Sequence, residues 1–302
     1  MNSRGNPNQL TAVAAERASA REQRRSVALR AALAVAERYD LRNCQPTVLR
    51  DSTHVTMRLA PYPLVARACM VREVSALRLA HELAVARHLA SAGAAIVPPS
   101  DVPPPGPHEY DSMRLTLWKF VDHDPAGVVD EASLIAALKD LHAKLSDYDA
   151  ELPPFTDAIA ECARLLEDAT AMPAMPASDR SFLIAEHARL VGRLRSYRFN
   201  SVPLHGDCHL GNLLVTTTGP LWTDFESACR GPVEWDLTSL PESVAAAFPD
   251  IHADLLSVLR DLRSLCVAAW CWDDLNPRPE VREAATYHLE RLRKRAALPT
   301  VK

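Results

Sequence analysis

The chain has 302 residues, of which 48% are hydrophobic and 24% charged, with a formal net charge of −4. This composition predicts a globular protein with ample material for a core, and no apolar run approaches the roughly 18 residues of a membrane span. Only nine residues are glycine, and none lies between Gly5 and Gly93. That gap excludes a glycine-rich P-loop or dinucleotide-binding loop near the N-terminus.

Charge is unevenly distributed along the chain. Residues 1–50 carry nine basic and four acidic residues, a balance of +5, so residues 51–302 carry −9. Within 130–170, ten carboxylates stand against three basic residues, a balance of −7. Nucleic-acid binding needs clustered basic residues, so we expect no nucleic-acid partner. The acidic stretch is either a solvated helix face or a surface that attracts a cationic small molecule.

Cysteine usage indicates the compartment. The seven cysteines are odd in number and contain no C-x-x-C pair, and lysine is scarce, with five against 29 arginines. We therefore expect a reduced, cytoplasmic protein that makes no membrane contact. Any chemistry that needs a lysine before Lys119 must use a substitute, because no lysine precedes it.

The first predicted element is a helix over residues 9–39, inside an N-terminal extension that covers 1–46. The first 25 residues either form part of this helix or are partly disordered. The helix is expected to turn one apolar set inward: Val27, Leu29, Ala32, Leu33 and Ala36.

A small β-rich lobe is predicted over residues 47–121. Alternating apolar residues predict a strand–turn–strand over 47–59, a third strand over 64–68 and a further strand over 113–121. A helix is expected over 72–92. Its predicted inward positions are Leu77, Ala80, Leu83, Ala84 and Leu89.

From residue 122 onward, helical patterns dominate and predict a larger, mainly helical lobe over 122–302. The predicted helices cover 132–146, 155–170, 178–196, 239–272 and 279–297. An island of short β segments interrupts them at 202–204, 213–216 and 221–224. Four of the nine glycines fall in this island, between Gly206 and Gly231.

The island carries the sequence that suggests chemistry. It reads His205-Gly206-Asp207-Cys208-His209-Leu210-Gly211-Asn212, followed after a short hairpin by Thr223-Asp224. The spacing of His205 and His209 suits zinc, but no third ligand lies near. Cys208 beside His209 suggests a thiol nucleophile, although sequence neighbours do not face each other on regular elements. A purely structural turn explains Gly206, but not Asn212 and Asp224 together.

The pattern H-G-D-x-H-x-x-N with a later strand-terminal Asp resembles the aminoglycoside phosphotransferase and choline kinase-like family. This resemblance implies an α+β, bilobal protein-kinase-like fold, with a small β-rich N-lobe for the nucleotide and a larger mainly helical C-lobe. It also implies that Asp207 orients or deprotonates the acceptor hydroxyl, while Asn212 and Asp224 bind Mg²⁺. By the same resemblance, His205, His209 and Asp236 support the loop, and Leu141-His142 matches an L-H pair of the family.

On the nucleotide side, the resemblance places Arg67 where protein kinases carry a lysine. Arginine holds phosphate through its planar guanidinium. Glu82 is the expected partner of Arg67, with Glu73 as the alternative. Asp51-Ser52-Thr53-His54 replaces the glycine-rich loop, so Ser52 and Thr53 are expected to bind phosphate. The adenine is expected at the segment that holds Lys119 and Val121.

The resemblance therefore implies an ATP-dependent phosphotransferase, with GTP as an alternative donor, Mg²⁺ as cofactor and a small hydroxylated molecule as acceptor. The acidic stretch suggests a cationic acceptor, an aminoglycoside-like antibiotic or an amino sugar, bound in part by Glu242, Asp273 and Asp274. Two alternatives stay open, a metabolic kinase for a sugar, choline or amino-acid derivative and a non-catalytic binding module. The oligomeric state is open too.

Overall fold

The computed structural model describes residues 7–71, 74–272 and 279–297. The chain divides into two compact units, Met1–Leu83 with Val97–Asp122, and Ala84–Ile96 with His123–Lys302. The first is rich in β-structure and the second is mainly helical, as the sequence predicts. No helix among the described residues combines the length and apolar character needed to cross a membrane.

The first unit is built on a five-stranded antiparallel sheet with strand order β1-β2-β3-β5-β4. The strands are β1 (Gln45–Asp51), β2 (Val55–Ala60), β3 (Leu64–Met70), β4 (His108–Tyr110) and β5 (Met113–Lys119). The strand β4 is absent from the sequence-based assignment, because three residues are too few to show an alternating pattern. Along β2 and β3, buried and partly exposed residues alternate, as expected where one face of a sheet is covered.

Helix α1 (Pro7–Arg38) covers that face of the sheet. Its contact residues are small, since Ala28, Ala31 and Ala32 are fully buried and pack with Val35 against apolar residues of β2, β3 and β5. The inward position predicted for Leu33 is wrong, because this side chain is 44% exposed. Alanines form the packed stripe, so the helix backbone lies close to the sheet.

Helix α2 (Ala76–Ser91) also shows a corrected face. Leu77, Ala80 and Ala84, predicted to point inward, are exposed, whereas Leu83 and Leu89 are buried as predicted. The buried face contains a charged residue, Glu82, which an apolar pattern cannot register. The buried face of α2 is therefore rotated about the helix axis from the face that the sequence predicts.

The second unit holds six helices and two small sheets within the described residues. The helices are α3 (Glu131–Leu145), α4 (Thr156–Glu167), α5 (Ala177–Leu194), α6 (Glu242–Ala246), α7 (Ala253–Trp270) and α8 (Pro279–Ala296). The sheets pair β6 (Val202–Leu204) with β9 (Cys229–Gly231), and β7 (Leu213–Thr216) with β8 (Gly219–Trp222). Helix α7 is the most enclosed, and its apolar residues share a core with those of α4, α5 and α8.

The single helix predicted over 239–272 is wrong, because the chain breaks between α6 and α7. Pro241 precedes α6, and Pro249 follows it and is succeeded by Asp250, whose φ is +66°. Proline removes a backbone donor and Asp250 leaves the right-handed region, so one helix cannot run through. Helix α7 begins after this break at Ala253. The ring of the N-cap residue, His252, accepts a hydrogen bond from the Leu255 amide.

The α1 stripe yields a test of packing. Replacing Ala31, which is fully buried against the sheet, by leucine adds volume where there is no room, and we expect a loss of about 1–3 kcal/mol of unfolding free energy. Leu33→Ala on the exposed side is the control and should change stability by less than about 0.5 kcal/mol. Urea unfolding followed by circular dichroism measures both. Equal effects of the two variants would contradict the assigned face.

Candidate active site

The H-G-D segment leaves strand β6 through a turn that only glycine fits. Gly206 has a φ of +84°, and a β-carbon there would lie 1.8 Å from the carbonyl oxygen of Ser227. The pairing of Leu204 with Cys229 brings these two backbone segments together. Asp207 is the next residue, so the close packing of Gly206 against the Ser227 carbonyl restricts where the Asp207 backbone lies.

Asp236 holds this turn from beneath. One of its carboxylate oxygens accepts the Gly206 amide at 2.7 Å, and the other accepts the His205 amide at 3.0 Å. The second oxygen also contacts Nε2 of His142 at 2.9 Å. Asp236 is fully buried. Burial raises the pKa of this carboxyl, but the His142 hydrogen bond and the backbone donors hold it below its usual value.

His205 is buried and braces the loop through both ring nitrogens. Its Nδ1 accepts the Asp207 amide at 3.3 Å, so Nε2 carries the proton and donates to the Thr223 carbonyl at 3.1 Å. The ring lies against Phe225, with centroids 4.7 Å apart. Both nitrogens are thus occupied by the protein itself.

The side chain of Asp207 follows the turn and remains 35% exposed. Nε2 of His209 lies 3.5 Å from its Oδ2, and Nη1 of Arg263 lies 3.4 Å from its Oδ1. Burial raises the pKa of Asp207, but the His209 hydrogen bond and the Arg263 charge outweigh it and hold the pKa below its usual value. The group is therefore an anion at neutral pH.

Arg263, which the sequence analysis missed, comes from α7, 56 residues after Asp207. Besides Asp207, its guanidinium contacts the Gly206 carbonyl at 2.6 Å and Oγ1 of Thr238 at 3.3 Å. It also stacks 3.9 Å above the ring of Trp235. No local motif surrounds it, and its position in a long helical run gave no signal.

Asn212 and Asp224 are brought together by the β7–β8 hairpin. Leu213 pairs with Trp222, and the Thr223 amide donates to the backbone carbonyl of Asn212 at 3.0 Å. Asp224 is the next residue after Thr223, so the hairpin places it beside Asn212. Asp224 has a φ of +70°, an uncommon conformation for a residue with a side chain. Such strain is often found at functional sites.

The donors of this pair suit a hard divalent cation. The side-chain amide nitrogen of Asn212 donates to the Asp207 carbonyl at 3.0 Å and to Oδ2 of Asp207 at 3.4 Å. The side-chain oxygen, Oδ1, of Asn212 has no hydrogen bond among the described residues. A neutral oxygen and a carboxylate are the ligand types that Mg²⁺ takes together with phosphate oxygens.

The described part of the chain gives zinc and thiol chemistry no support. It contains no group of three or more histidine, cysteine and carboxylate side chains that could hold a metal ion. Cys208 is buried, and burial raises the pKa of its thiol well above the usual value. None of the seven cysteines, all of which lie among the described residues, forms a disulfide.

On the first unit, Arg67 and Glu82 form a buried ion pair. Glu82 is fully buried and the Arg67 side chain is 10% exposed. The guanidinium also lies 5.8 Å from the centre of the Trp118 ring. Glu73, the alternative partner of Arg67, lies outside the described residues.

The remaining nucleotide-side residues occupy loops of the same unit. Ser52 and Thr53 form the β1–β2 turn, closed by a 3.0 Å hydrogen bond from the Ser52 amide to the His54 carbonyl. Lys119 ends β5, pairs with Asp101 at 2.5 Å and donates its amide to the Pro98 carbonyl. Val121 follows and is partly exposed.

Of the acceptor residues predicted, Asp273 and Asp274 lie outside the described residues. Glu242 lies at the start of α6, is 91% exposed and contacts Arg260 at 3.2 Å. It lines a cavity of about 500 Å³ with apolar side chains and three arginines, Arg260, Arg291 and Arg295. Basic residues outnumber carboxylates in this lining, so the cavity by itself does not suit a cation.

Comparison with known proteins is consistent with this geometry. The model of the phosphotransferase enzyme family matches residues 45–294. Stress response kinase A from Salmonella choleraesuis is 30% identical over 133 residues, which are 37% of this chain and 40% of that protein. A Salmonella typhimurium relative named serine/threonine protein kinase RdoA is 29% identical over the same length. The chain thus matches less than half of the length of these curated relatives.

Solved structures share the fold at low identity. Amicoumacin kinase hAmiN, in complex with AMP-PNP, Ca²⁺ and Ami, has a TM-score of 0.65 and 12% identity, over 83% of this chain and 88% of that one. The GDP complex of aminoglycoside 2'-phosphotransferase-IIIa has a TM-score of 0.60 and 16% identity, over 88% and 97%. A choline/ethanolamine kinase family protein from Mesorhizobium loti has a TM-score of 0.57 and 16% identity, over 85% and 90%. The predicted protein-kinase-like fold is confirmed.

Two glycines provide a matched test of the turn. Gly206→Ala places a β-carbon against the Ser227 carbonyl at positive φ, and we expect a loss of at least ~3 kcal/mol of unfolding free energy. Gly192→Ala lies within α5, where an added β-carbon meets nothing within 4 Å, and should stabilise by ~0.5–1 kcal/mol. Thermal unfolding of both variants measures the difference. A Gly206→Ala protein as stable as wild type would contradict the described turn.

Proposed function

Because the chain belongs to the phosphotransferase enzyme family, we propose that it transfers the γ-phosphate of ATP to a hydroxyl of a small cationic molecule, an aminoglycoside-like compound or amino sugar. The observation that carries the proposal is the Asp207 carboxylate, ionised and partly exposed, on a loop that also bears Asn212. Phosphoryl transfer asks a protein mainly for positioning and charge.

In this proposal, Asp207 accepts a hydrogen bond from the acceptor hydroxyl and takes its proton as the bond from that oxygen to the γ-phosphorus forms. The bond from the γ-phosphorus to the β-phosphate oxygen breaks, and ADP leaves. The loop backbone is fixed by Asp236 and His205, so the carboxylate keeps its direction while the acceptor arrives. His209 and Arg263 keep Asp207 ionised before the reaction. Proton transfer by such a positioned group contributes about 10²–10⁴ in rate.

Asn212 and Asp224 would hold Mg²⁺, which when bound neutralises phosphate charge. Arg67, kept in place by Glu82, would bind the nucleotide phosphates through its planar guanidinium. Ser52 and Thr53 would donate hydrogen bonds to phosphate from the β1–β2 turn. The backbone amide of Lys119 is already bonded to the Pro98 carbonyl, so Lys119 would contact the nucleotide through its carbonyl or its side chain. Val121 would contact the nucleotide through its backbone.

The cationic acceptor is supported by the −7 balance over residues 130–170 and by the substrate class in the name of the aminoglycoside 2'-phosphotransferase. Glu242, whose side chain is 91% exposed and contacts Arg260, would contribute to binding of the cation together with other carboxylates. A second candidate activity, phosphorylation of protein serine or threonine, is favoured by the name of the Salmonella typhimurium relative.

An acceptor panel separates these activities. Purified full-length protein with Mg·ATP or Mg·GTP is incubated with aminoglycosides, amino sugars, choline, neutral sugars and a generic protein substrate, and nucleoside diphosphate release is measured. We expect release to be stimulated by a cationic hydroxylated compound and to fall by 10²–10⁴ in Asp207→Asn. Stimulation by the protein substrate alone would favour the second activity. Wild-type release by Asp207→Asn would contradict the catalytic assignment.

Arg263 gives a test by pH. Removing its charge in Arg263→Met raises the pKa of Asp207, because the guanidinium charge that stabilises the anion is lost. A carboxylate base works above its pKa, so the acid limb of kcat/KM should move to higher pH. Arg263→Lys keeps the charge and should leave the limb within a few tenths of a unit of wild type. Identical acid limbs in Arg263→Met and wild type would contradict this electrostatic role.

A further inference from the structure

The β1–β2 turn is held by two arginines of helix α1. Arg21 contacts Oδ2 of Asp51 at 2.6 Å and the Asp51 carbonyl at 3.2 Å. Arg24 contacts Oδ1 of Asp51 and the carbonyl of Ser52. Two guanidiniums thus occupy both carboxylate oxygens and two successive backbone carbonyls of one short turn.

The register of α1 on the sheet places these arginines there. On a helix, residues 21, 24, 28, 31 and 35 share one face because they follow the three- and four-residue spacing. Three of the five, Ala28, Ala31 and Val35, are buried on the sheet. The two arginines extend the same stripe by two turns toward the N-terminus and reach the end of β1. The apolar packing therefore fixes where the charges lie.

Asp51 depends on this arrangement. Its side chain is only 5% exposed, and an unpaired buried carboxylate is costly. Burial raises the pKa of Asp51, but the hydrogen bonds from Arg21 and Arg24 outweigh it and hold the pKa below its usual value. Among the contacts described, no basic residue of strand β1 pairs with the Asp51 carboxylate.

The backbone consequence follows from the planarity of the trans peptide. Within one peptide unit, the carbonyl and the next amide point in opposite directions. Arg24 binds the Ser52 carbonyl, so the Thr53 amide points away from α1. That amide donates to no group among the described residues, and Thr53 is exposed. An outward-pointing amide in a tight turn is a donor suited to an anion.

We propose that Arg21 and Arg24 of α1 are positioning residues for nucleotide phosphate, which orient the β1–β2 turn so that the Thr53 amide faces the ligand. The inference rests on the proposed phosphate-binding role of this turn. Helix α1 precedes residues 45–294, the part that the family model matches, so the two arginines lie outside the matched part while the turn that they contact lies inside it. The arginines act through the turn and not on the reacting atoms.

Nucleotide binding by full-length protein tests the proposal. Isothermal titration compares Mg·AMP-PNP, which carries phosphates, with adenosine, which has none. Arg24→Ala should weaken AMP-PNP binding about tenfold, and Arg21→Ala combined with Arg24→Ala should weaken it further. Adenosine binding should stay within twofold. A merely structural role would weaken both ligands or neither.

Two further variants complete the design. Arg30→Ala removes an exposed arginine of the same helix whose one hydrogen bond within the described part of the chain is to Ser26, and should change neither affinity. Arg24→Lys keeps the charge but not the fork, and should give an intermediate loss for AMP-PNP. If circular dichroism shows Arg24→Ala unfolded, Arg24→Lys decides the question.

Unchanged AMP-PNP affinity in the folded arginine variants, with wild type binding normally, would overturn the inference and leave the proposed function standing. Failure of wild type itself to bind AMP-PNP would overturn both.

Discussion

One buried carboxylate organises the second unit. Asp236 receives the amides of His205 and Gly206, and a histidine from α3 completes its partners. A fully buried carboxylate without such donors would cost far more than any single contact returns. The turn therefore has one acceptable backbone arrangement, and that arrangement is the one that places Asp207 at its end. The position of Asp207 and the burial of the Asp236 charge therefore depend on the same hydrogen bonds.

A similar constraint acts in the first unit, but there the partners of the buried carboxylates are arginine side chains. Two of its buried acids, Asp51 and Glu82, are each paired with arginine. The arginines sit on separate elements, α1 and β3, so folding of the unit sets the positions of its cations. In the proposed function, a chain with few lysines and few glycines would in this way provide both guanidinium and amide donors for phosphate.

Much of the fold was predictable from sequence because its signals are local. The strands at 202–204 and 213–216 lie where the pattern placed them, and the order of a β-rich region before a helical one was correct. The H-G-D-x-H-x-x-N spacing brought Asp207 and Asn212 into contact through one short loop. Fifteen residues of separation between Arg67 and Glu82 also sufficed to pair them.

Other features depend on distant partners and left no local trace. Arg263 reaches Asp207 from 56 residues away, and nothing in the sequence of its helix distinguishes it from Arg260 three residues earlier. The face of α2 was misjudged because its buried side contains Glu82, a charge that only a buried arginine makes acceptable. The break before α7 depends on Pro249 and Asp250. An apolar count over 239–272 passes over such residues.

Native-state hydrogen exchange at the Gly206 amide tests the central claim most directly. This amide is buried and bonded to Asp236 at 2.7 Å, so in wild type it should exchange only through large opening events. In Asp236→Asn the amide loses its charged acceptor, and exchange should accelerate by at least about 100-fold while amides in the α7 core keep their protection. Equal protection of the Gly206 amide in both proteins would show that Asp236 does not hold the loop that presents Asp207.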